Sequence, residues 1–190
     1  MKPQVRVLGI DDAPFSFDDG RVPIVGVVVR LPGYIEGLMI SDVAVDGDDA
    51  DRSILDLILR SRYREQIRWV MIDGTALGGF NVVDIDHLFD VSGIPFCTVT
   101  RDQPDIDSIR SALQKHFLDW HRRLEIVERH ALNEMSTGHG SIFFSVAGCS
   151  ASETEELLRA STLQGLMPEP LRLAHLVATA MVKGESKGNP

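Results

Sequence analysis

The chain has 190 residues, 44% of them hydrophobic and 25% charged, a composition typical of a single globular domain over residues 1–190. No apolar run is long enough to cross a bilayer, and Cys97 and Cys149 each follow an apolar run, so a membrane protein, a disulfide framework and a zinc site are not expected. The formal net charge of −9 argues against nonspecific coating of nucleic acid, and a cytoplasmic location is expected.

The first quarter of the sequence predicts three consecutive strands that pair antiparallel. Residues 4–10 alternate apolar and polar side chains and run into DDAP at 11–14, where proline stops the strand. Residues 24–31 are rich in β-branched side chains. After the Pro-Gly turn at 32–33, residues 34–45 are their expected hairpin partner. The first strand therefore carries two acidic residues at its carboxyl-terminal end.

The pattern then changes to alternating helices and strands. Residues 50–64 have helical spacing after an acidic start, which suits the helix dipole. Residues 67–72 form a continuous apolar strand of the kind buried in a parallel sheet, and it ends at Asp73. A short helix at 82–91 and a buried strand at 95–99 follow.

The remaining sequence predicts one long helix, one strand and two helices. The long helix covers residues 104–132, the strand 141–146, and the last helices 151–164 and 170–183. This order predicts an α/β fold with the mixed sheet of the ribonuclease-H-like class: three antiparallel strands, then βα crossovers, with an added C-terminal strand and helices.

Two aspartates end strands that this topology makes neighbours, Asp11 and Asp73. Carboxylates packed this closely raise each other's pKa unless a cation neutralises them, and hard oxygen ligands suit Mg²⁺ or Mn²⁺. Such a site favours in-line displacement at phosphorus. Each motif alone is more often an ordinary turn or helix cap.

A third carboxylate is expected from the acidic segment between the third strand and the first helix. Asp46 is the first candidate because it directly follows the strand, and Asp49 is the second because capping of the helix already explains it. We expect Asp46→Ala to lower turnover, and Asp49→Ala to lower stability.

Two further pairs of residues are candidates for substrate contacts. Gly78 and Gly79 follow the strand that ends at Asp73, and glycine lets a ligand approach the backbone closely. The helix after them could receive an anionic group at its N-terminus. His175 and Arg172 lie three residues apart on a mostly apolar helix, where a phosphate-facing pair or a proton donor is conceivable and a core histidine is the more usual explanation.

Five segments of the sequence resemble the endonuclease dU family, a mostly archaeal family that is similar to endonuclease V. They are GIDDAPF at 9–15, VDGDDA at 45–50, MIDGTALGGFNVVDI at 71–85, MPEPLRLAHLVATAM at 167–181 and GESKG at 184–188. The resemblance implies a ribonuclease-H-like fold and cleavage of DNA at 2′-deoxyuridine. It places Asp11 and Asp73 on catalytic aspartates of endonuclease V, and leaves Asp46 or Asp49 to replace that enzyme's intermediate glutamate. The turn LPGY at 31–34 loosely resembles the turn that carries its wedge.

The sequence thus predicts a divalent-metal-dependent endonuclease that acts on DNA carrying a deaminated base. Two alternatives remain open. One is a noncatalytic module of the same fold that binds nucleic acid or a partner protein, which the acidic net charge keeps plausible. The other is a phosphotransferase that uses Mg-ATP, although such enzymes need two domains of this type around the nucleotide.

Overall fold

A computed structural model describes residues 4–187; residues 1–3 and 188–190, which include the last glycine of the GESKG segment, lie outside the described part. Its centre is a seven-stranded sheet in the order β3-β2-β1-β4-β7-β9-β8. The strands are β1 (Arg6–Asp12), β2 (Arg21–Arg30), β3 (Tyr34–Ala44), β4 (Ile67–Asp73), the two-residue β5 (Ala76–Leu77) and β6 (Asn81–Val82), β7 (Phe96–Thr100), β8 (Asn133–Thr137) and β9 (Gly140–Ala147). The helices are α1 (Ala50–Arg60), α2 (Ile85–Ser92), α3 (Ile106–His116), α4 (Trp120–Glu128), α5 (Ala151–Ser161) and α6 (Glu169–Lys183).

The sheet is mixed, and its strand directions confirm the predicted order of pairing. β1, β2 and β3 pair antiparallel, whereas β4 pairs parallel with β1 and β7 pairs parallel with β4. β9 then returns antiparallel along β7, and β8 pairs with β9 at the edge of the sheet. The carboxyl ends of β1, β4 and β7 therefore meet at one edge.

Helices cover both faces of the central strands, and two glycines show how closely they pack. A Cβ on Gly9 of β1 would lie 2.4 Å from the carbonyl of Pro170, so α6 can approach this strand only because residue 9 is glycine. A Cβ on Gly26 of β2 would instead meet Leu57 of α1. Gly26 pairs with Ile10, the neighbour of Gly9, and successive residues of a strand face opposite sides. Helices α6 and α1 therefore cover opposite faces of the sheet.

The region predicted as one helix over residues 104–132 is two helices instead. Phe117 has an extended backbone (φ −129°, ψ 131°) and ends α3. Its ring packs edge-on against Phe80, with centroids 5.7 Å apart, and lies 4.4 Å from the guanidinium carbon of Arg123. The break lets α4 place buried Arg123 against the loops at Gly47 and Phe80. Tertiary packing outweighs helical periodicity here.

The predicted strand at 141–146 is confirmed as β9, but its hairpin partner β8 was not predicted from the sequence. β8 is a polar edge strand with one fully buried apolar side chain, Met135, so alternating hydrophobicity is weak there. Within residues 4–187 no helix combines the length and the apolar composition needed to span a bilayer.

Candidate functional site

Asp11 and Asp73 lie side by side at the carboxyl edge of the sheet. Ile10 of β1 is in register with Ile72 of β4, so the two aspartates follow at equivalent positions of neighbouring parallel strands. Backbones of paired strands are about 4.8 Å apart, and equivalent positions point to the same face. Asp11 is two residues after Gly9, and both therefore face helix α6. The two carboxylates therefore lie side by side on the face of the sheet that α6 covers.

Asp11 and Asp73 line a cleft with a volume of about 640 Å³. Its lining comes from the ends of β1, β4 and β7 and from α6: Asp11, Asp12, Ala13, Pro14, Phe15, Asp73, Thr100, Arg101, Asp102 and His175. Three residues proposed from the sequence, Asp11, Asp73 and His175, meet in this cleft. Asp12, Thr100 and Arg101 were not singled out, although the end of strand 95–99 was a signal that polar residues there would reach the same edge.

Burial and charge act strongly on Asp73. Burial in the cleft, followed by the neighbouring charge of Asp11, raises the pKa of Asp73 to about 7. Arg101 and His175 oppose this shift because their positive charges favour the carboxylate. The charged pair is therefore costly in the protein alone, and a cation placed between the two carboxylates would relieve that cost.

Asp12 is also part of the cleft, and it links the cleft to the loop after β4. Its Oδ2 accepts a 2.6 Å hydrogen bond from the backbone N–H of Gly78. Burial raises the pKa of Asp12 to about 6, against the opposing effect of the Gly78 hydrogen bond. Asp11 and Asp12 thus point to different partners from adjacent positions of one strand.

His175 reaches the carboxylates from the helix that covers β1. Its Nδ1 lies 2.8 Å from Oδ2 of Asp11, and the Asp11 side chain is 7% exposed whereas that of His175 is 44% exposed. The hydrogen bond to Asp11 raises the pKa of His175, in spite of partial burial. With Nδ1 held by Asp11, the ring nitrogen Nε2 is the one left for proton exchange with a ligand.

Further polar lining comes from Thr100, the last residue of β7, and from Arg101 and Asp102 after it. Val99 pairs with Asp73, so Thr100 and Arg101 follow at the same edge as the carboxylates. The Thr100 hydroxyl is buried and finds no hydrogen-bond partner among the described residues. Buried polar atoms are normally satisfied, so this hydroxyl is an exception next to the cleft. Arg101 is exposed and supplies the cleft's positive charge besides His175.

Asp46, the first candidate for a third carboxylate, does not line the cleft. Its backbone has φ +55°, and its side chain turns to the β5–β6 hairpin, where Oδ1 accepts a 2.8 Å hydrogen bond from the N–H of Phe80. Its own N–H donates to the carbonyl of Gly78 at 2.8 Å. Asp46 therefore binds the β5–β6 hairpin with both its side chain and its backbone N–H.

Asp49, the second candidate, is also outside the cleft. It stands at the N-cap position of α1, but no side-chain capping bond forms. Its Oδ1 instead accepts hydrogen bonds from Ala44 N at 3.0 Å and Asn81 Nδ2 at 2.7 Å, and its Oδ2 pairs with Arg21 at 3.0 Å. Instead of capping α1, the Asp49 side chain joins β2, the end of β3 and the β5–β6 hairpin through these three contacts.

Gly78 and Gly79 have positive φ angles of 61° and 89°, so glycine is needed for this turn. The polar groups around them bind the protein's own aspartates, because Asp12 accepts from Gly78 N and Asp46 accepts from Phe80 N. A Cβ on Gly79 would lie 2.4 Å from Asp46 Oδ1, so the close approach that glycine allows is made by an aspartate of the same chain. Neither glycine lines the cleft.

Two other expected anion contacts are occupied within the protein. The helix after the hairpin, α2, is capped by Asp84, whose side chain accepts from His87 N, and Arg129 pairs with Asp84. Arg172 makes two hydrogen bonds to Glu169 on its own helix, at 2.7 and 2.5 Å, and does not line the cleft. The phosphate-facing pair of Arg172 and His175 is therefore not assembled, and Arg101 is the arginine that faces the carboxylates.

Within residues 4–187 no group of three or more His, Cys, Asp or Glu side chains converges as a self-sufficient metal site. The donors that do converge are carboxylates of neighbouring strands with an adjacent histidine. Mg²⁺ in proteins is commonly held by one or two carboxylates, with waters and substrate phosphate oxygens completing its shell. The donor set at Asp11 and Asp73 fits that mode of binding.

Solved structures share this architecture. A protein of unknown function from Archaeoglobus fulgidus is similar, with a TM-score of 0.83 and 39% identity over 93% of this chain and 98% of its own. Endonuclease V of Ciona intestinalis, in complex with a 24mer DNA containing an inosine followed by a ribo-adenosine, has a TM-score of 0.60. Its identity is 14%, over 90% of this chain and 83% of its own, so this likeness concerns the fold alone.

Sequence comparison covers almost the whole chain. A UPF0215 protein of Thermococcus gammatolerans is 39% identical over 191 residues, which is 98% of this chain and 96% of the relative. The sequence model of the family described as endonuclease dU matches residues 3–182, a span that includes the cleft aspartates and His175. The resemblance seen in the motifs is confirmed, and the chain belongs to the endonuclease dU family.

Proposed function

We propose that this protein is a divalent-metal-dependent endonuclease that hydrolyses a DNA phosphodiester at or near a deaminated base such as 2′-deoxyuridine. The family's description and the fold likeness to endonuclease V both suggest a nuclease. The observation that carries the proposal is the placement of Asp11 and Asp73 at neighbouring strand ends, where burial and mutual charge raise the pKa of Asp73 to about 7. In this proposal the sheet is of the ribonuclease-H-like class.

Asp11 and Asp73 are the proposed ligands of Mg²⁺ or Mn²⁺, and Asp12 is a further carboxylate in the cleft. A bound divalent cation supplies Lewis-acid stabilisation of the charge that develops on the phosphate. Because Asp46 and Asp49 hold the hairpin, we assign them to supporting the site rather than to the metal. This departs from the expectation that one of them replaces a glutamate of endonuclease V.

The chain's own cationic groups have distinct proposed roles in the cleft. His175, oriented through Nδ1 by Asp11, offers Nε2 to donate a proton to the leaving oxygen. Arg101 binds a non-bridging phosphate oxygen from its position in the lining of the cleft. These contacts position the phosphate beside the carboxylates and offset its charge.

Selection of a deaminated base requires that base to leave the stack, which costs least in a mismatched pair such as U·G.

The alternative function, a phosphotransferase that uses Mg-ATP, needs free backbone N–H groups that can bind the phosphates of the nucleotide. In this loop the N–H groups of Gly78 and Phe80 are bound by Asp12 and Asp46, which disfavours that reaction.

The test is a cleavage assay on end-labelled duplexes that carry uracil, hypoxanthine or no lesion, with Mg²⁺, Mn²⁺ or EDTA. The protein should come from a host without its own uracil glycosylase or endonuclease V. We expect cleavage of a lesion duplex with either metal, none in EDTA and none by the Asp73→Asn variant. Lesion binding without cleavage under every condition would contradict the proposal and favour the noncatalytic alternative.

A further inference from the structure

A pair of phenylalanines in the loop between β1 and β2 lies beside the cleft. Phe15 lines the cleft together with Asp11 and Asp73. The ring of Phe17 meets it edge to face, with centroids 5.6 Å apart and planes at 81°. Phe17 is 72% exposed, although a phenylalanine in a folded protein usually buries its ring. Among the phenylalanine, tyrosine and tryptophan rings of residues 4–187, the most exposed one thus belongs to the residue two positions after Phe15 of the cleft lining.

The loop holds Phe17 in place by local hydrogen bonds. Ser16 N donates to Asp19 Oδ2 at 2.7 Å, and Asp19 N donates to the carbonyl of Ser16 at 2.9 Å. The ring also rests on the β5–β6 hairpin, since its Cε1 is 3.5 Å from where a Cβ on Gly79 would stand. The loop backbone on both sides of Phe17 is therefore held by hydrogen bonds, which reduces the backbone entropy lost when a ligand binds the ring.

Charge decides what such a ring can contact. The loop at 13–20 contains Asp18 and Asp19 and no lysine or arginine, so it would repel a phosphate backbone. A nucleobase presents a neutral π face, and bases stack on exposed aromatic rings in proteins that bind unpaired strands. The positive charge for the phosphate comes instead from His175 and from Arg101, which follows β7, the strand on the far side of β4 from β1.

We propose that Phe15 and Phe17 form a stacking platform for an unpaired base next to the phosphate in the cleft. The substrate class is accordingly single-stranded or locally unpaired nucleic acid, in which a base is free to lie on the Phe17 ring. This inference rests on the proposed nuclease function, because it needs a nucleic acid in the cleft.

The platform is tested with a tryptophan reporter at Phe17 and a matched reporter at Tyr34. Tyr34 is 63% exposed and pairs with Arg30, which is opposite Arg6, the first residue of β1. The turn at 31–34, which resembles the wedge turn of endonuclease V, therefore lies at the opposite end of the sheet from Asp11 and does not line the cleft, so Tyr34 is a suitable control position. Both Phe17→Trp and Tyr34→Trp are made in the Asp73→Asn background, which blocks cleavage. The probe for the tryptophan fluorescence measurement is an unlabelled single-stranded oligothymidylate, and it is compared with a blunt, fully paired duplex of the same length.

We expect the oligothymidylate to quench the fluorescence of Phe17→Trp, and to leave that of Tyr34→Trp unchanged relative to the parent. A labelled strand should bind Phe17→Leu about tenfold more weakly than the parent in anisotropy, because stacking on an aromatic ring is lost while an apolar side chain remains. The fully paired duplex should show neither effect. Melting temperatures should match, since the ring is largely exposed.

Equal quenching of both reporters, or an unchanged affinity of Phe17→Leu, would overturn the platform. If the protein with wild-type cleft residues still cleaves lesion DNA in that case, the nuclease function stands and only the platform fails. If the Asp73→Asn parent binds neither probe and the wild-type protein cleaves no duplex, the proposed function fails together with the platform.

Discussion

His175 Nδ1 lies 2.8 Å from Asp11 Oδ2, although 164 residues separate them in the chain. The contact arises because Gly9 lets α6 pack directly on β1, and Asp11 faces the same side of the sheet as Gly9. His175 is five residues beyond Pro170, the residue that packs on Gly9. One glycine therefore places a histidine against a buried carboxylate.

Replacing His175 by asparagine should reduce cleavage by about a hundredfold or more, because general acids contribute at least this much. The pKa of His175 is raised by Asp11, so the histidine's contribution to stability is present below its ordinary pKa and is lost as the pH rises through the raised one. Thermal melts should show that His175→Asn is most destabilising in acid. His139→Asn, in the exposed β8–β9 turn, is the control; equal pH profiles for both variants would contradict this role.

Asp73→Asn should remove cleavage and stabilise the metal-free protein at neutral pH. Burial raises the pKa of Asp73 to about 7, so the folded protein takes up a proton that the unfolded chain has lost, and stability falls as the pH rises from about 4 toward 7. The asparagine variant lacks this loss. Its melting temperature should equal that of the wild type near pH 4 and exceed it by about 5 °C or more near pH 8.

Added Mg²⁺ or Mn²⁺ supplies the control for this prediction. Binding of the cation to the native carboxylates stabilises the wild-type protein by mass action. The metal should therefore raise the melting temperature of the wild type and leave that of Asp73→Asn nearly unchanged. A constant difference between the two proteins at all pH values would contradict the assigned pKa of Asp73.

Asp46 and Asp49 should behave as structural residues. Asp46→Ala loses the acceptor for Phe80 N, and Asp49→Ala loses acceptors for Ala44 N and Asn81, so each should cost about 1–3 kcal/mol in denaturant unfolding. Asp46→Asn keeps a side-chain oxygen for Phe80 and tolerates the positive φ, so it should keep both stability and cleavage. Loss of cleavage in a stable Asp46→Asn protein would instead identify Asp46 as a metal ligand.

Arg101→Gln should weaken substrate binding and shift the response to pH. Loss of one phosphate contact should reduce the slope of log affinity against log salt by about 1. The positive charge of Arg101 also lowers the pKa of Asp73, so the acidic limb of the cleavage profile should move to higher pH. Arg62→Gln, at an exposed position between α1 and β4, should change neither measurement beyond nonspecific charge effects. Identical salt slopes for both variants would exclude the phosphate contact.

Much of this protein could be predicted from the sequence because the information is local. Alternation and β-branched runs predicted β1, β2 and β3, short continuous apolar runs predicted β4 and β7, and the order of elements predicted how they pair. Asp11 and Asp73 were recognisable because each directly follows an apolar strand that the topology places beside the other. The period of side chains and the handedness of crossovers suffice for that step.

Which acidic residues face the cleft depended on the tertiary structure. Sequence proximity favoured Asp46 and Asp49, but the β5–β6 hairpin supplies the N–H of Phe80, which donates to Asp46, and the side-chain amide of Asn81, which donates to Asp49. Asp12 and Arg101 enter the cleft because of strand register and the parallel pairing of β7. Such contacts join residues tens of positions apart, and no local pattern encodes the choice among several nearby carboxylates.

The same division explains the break between α3 and α4. The hydrophobic periodicity of residues 104–132 predicted one continuous helix. In the structure the backbone of Phe117 is extended, and its ring packs against Phe80 and the guanidinium of Arg123. The sequence by itself determined the central strands β1, β2, β3, β4 and β7, their order and the aspartates at the ends of β1 and β4, since backbone periodicity is a property of neighbouring residues. Only the tertiary structure decided which side chains converge, because a buried hydrogen bond or ring contact is selected by competition among partners distant in the chain.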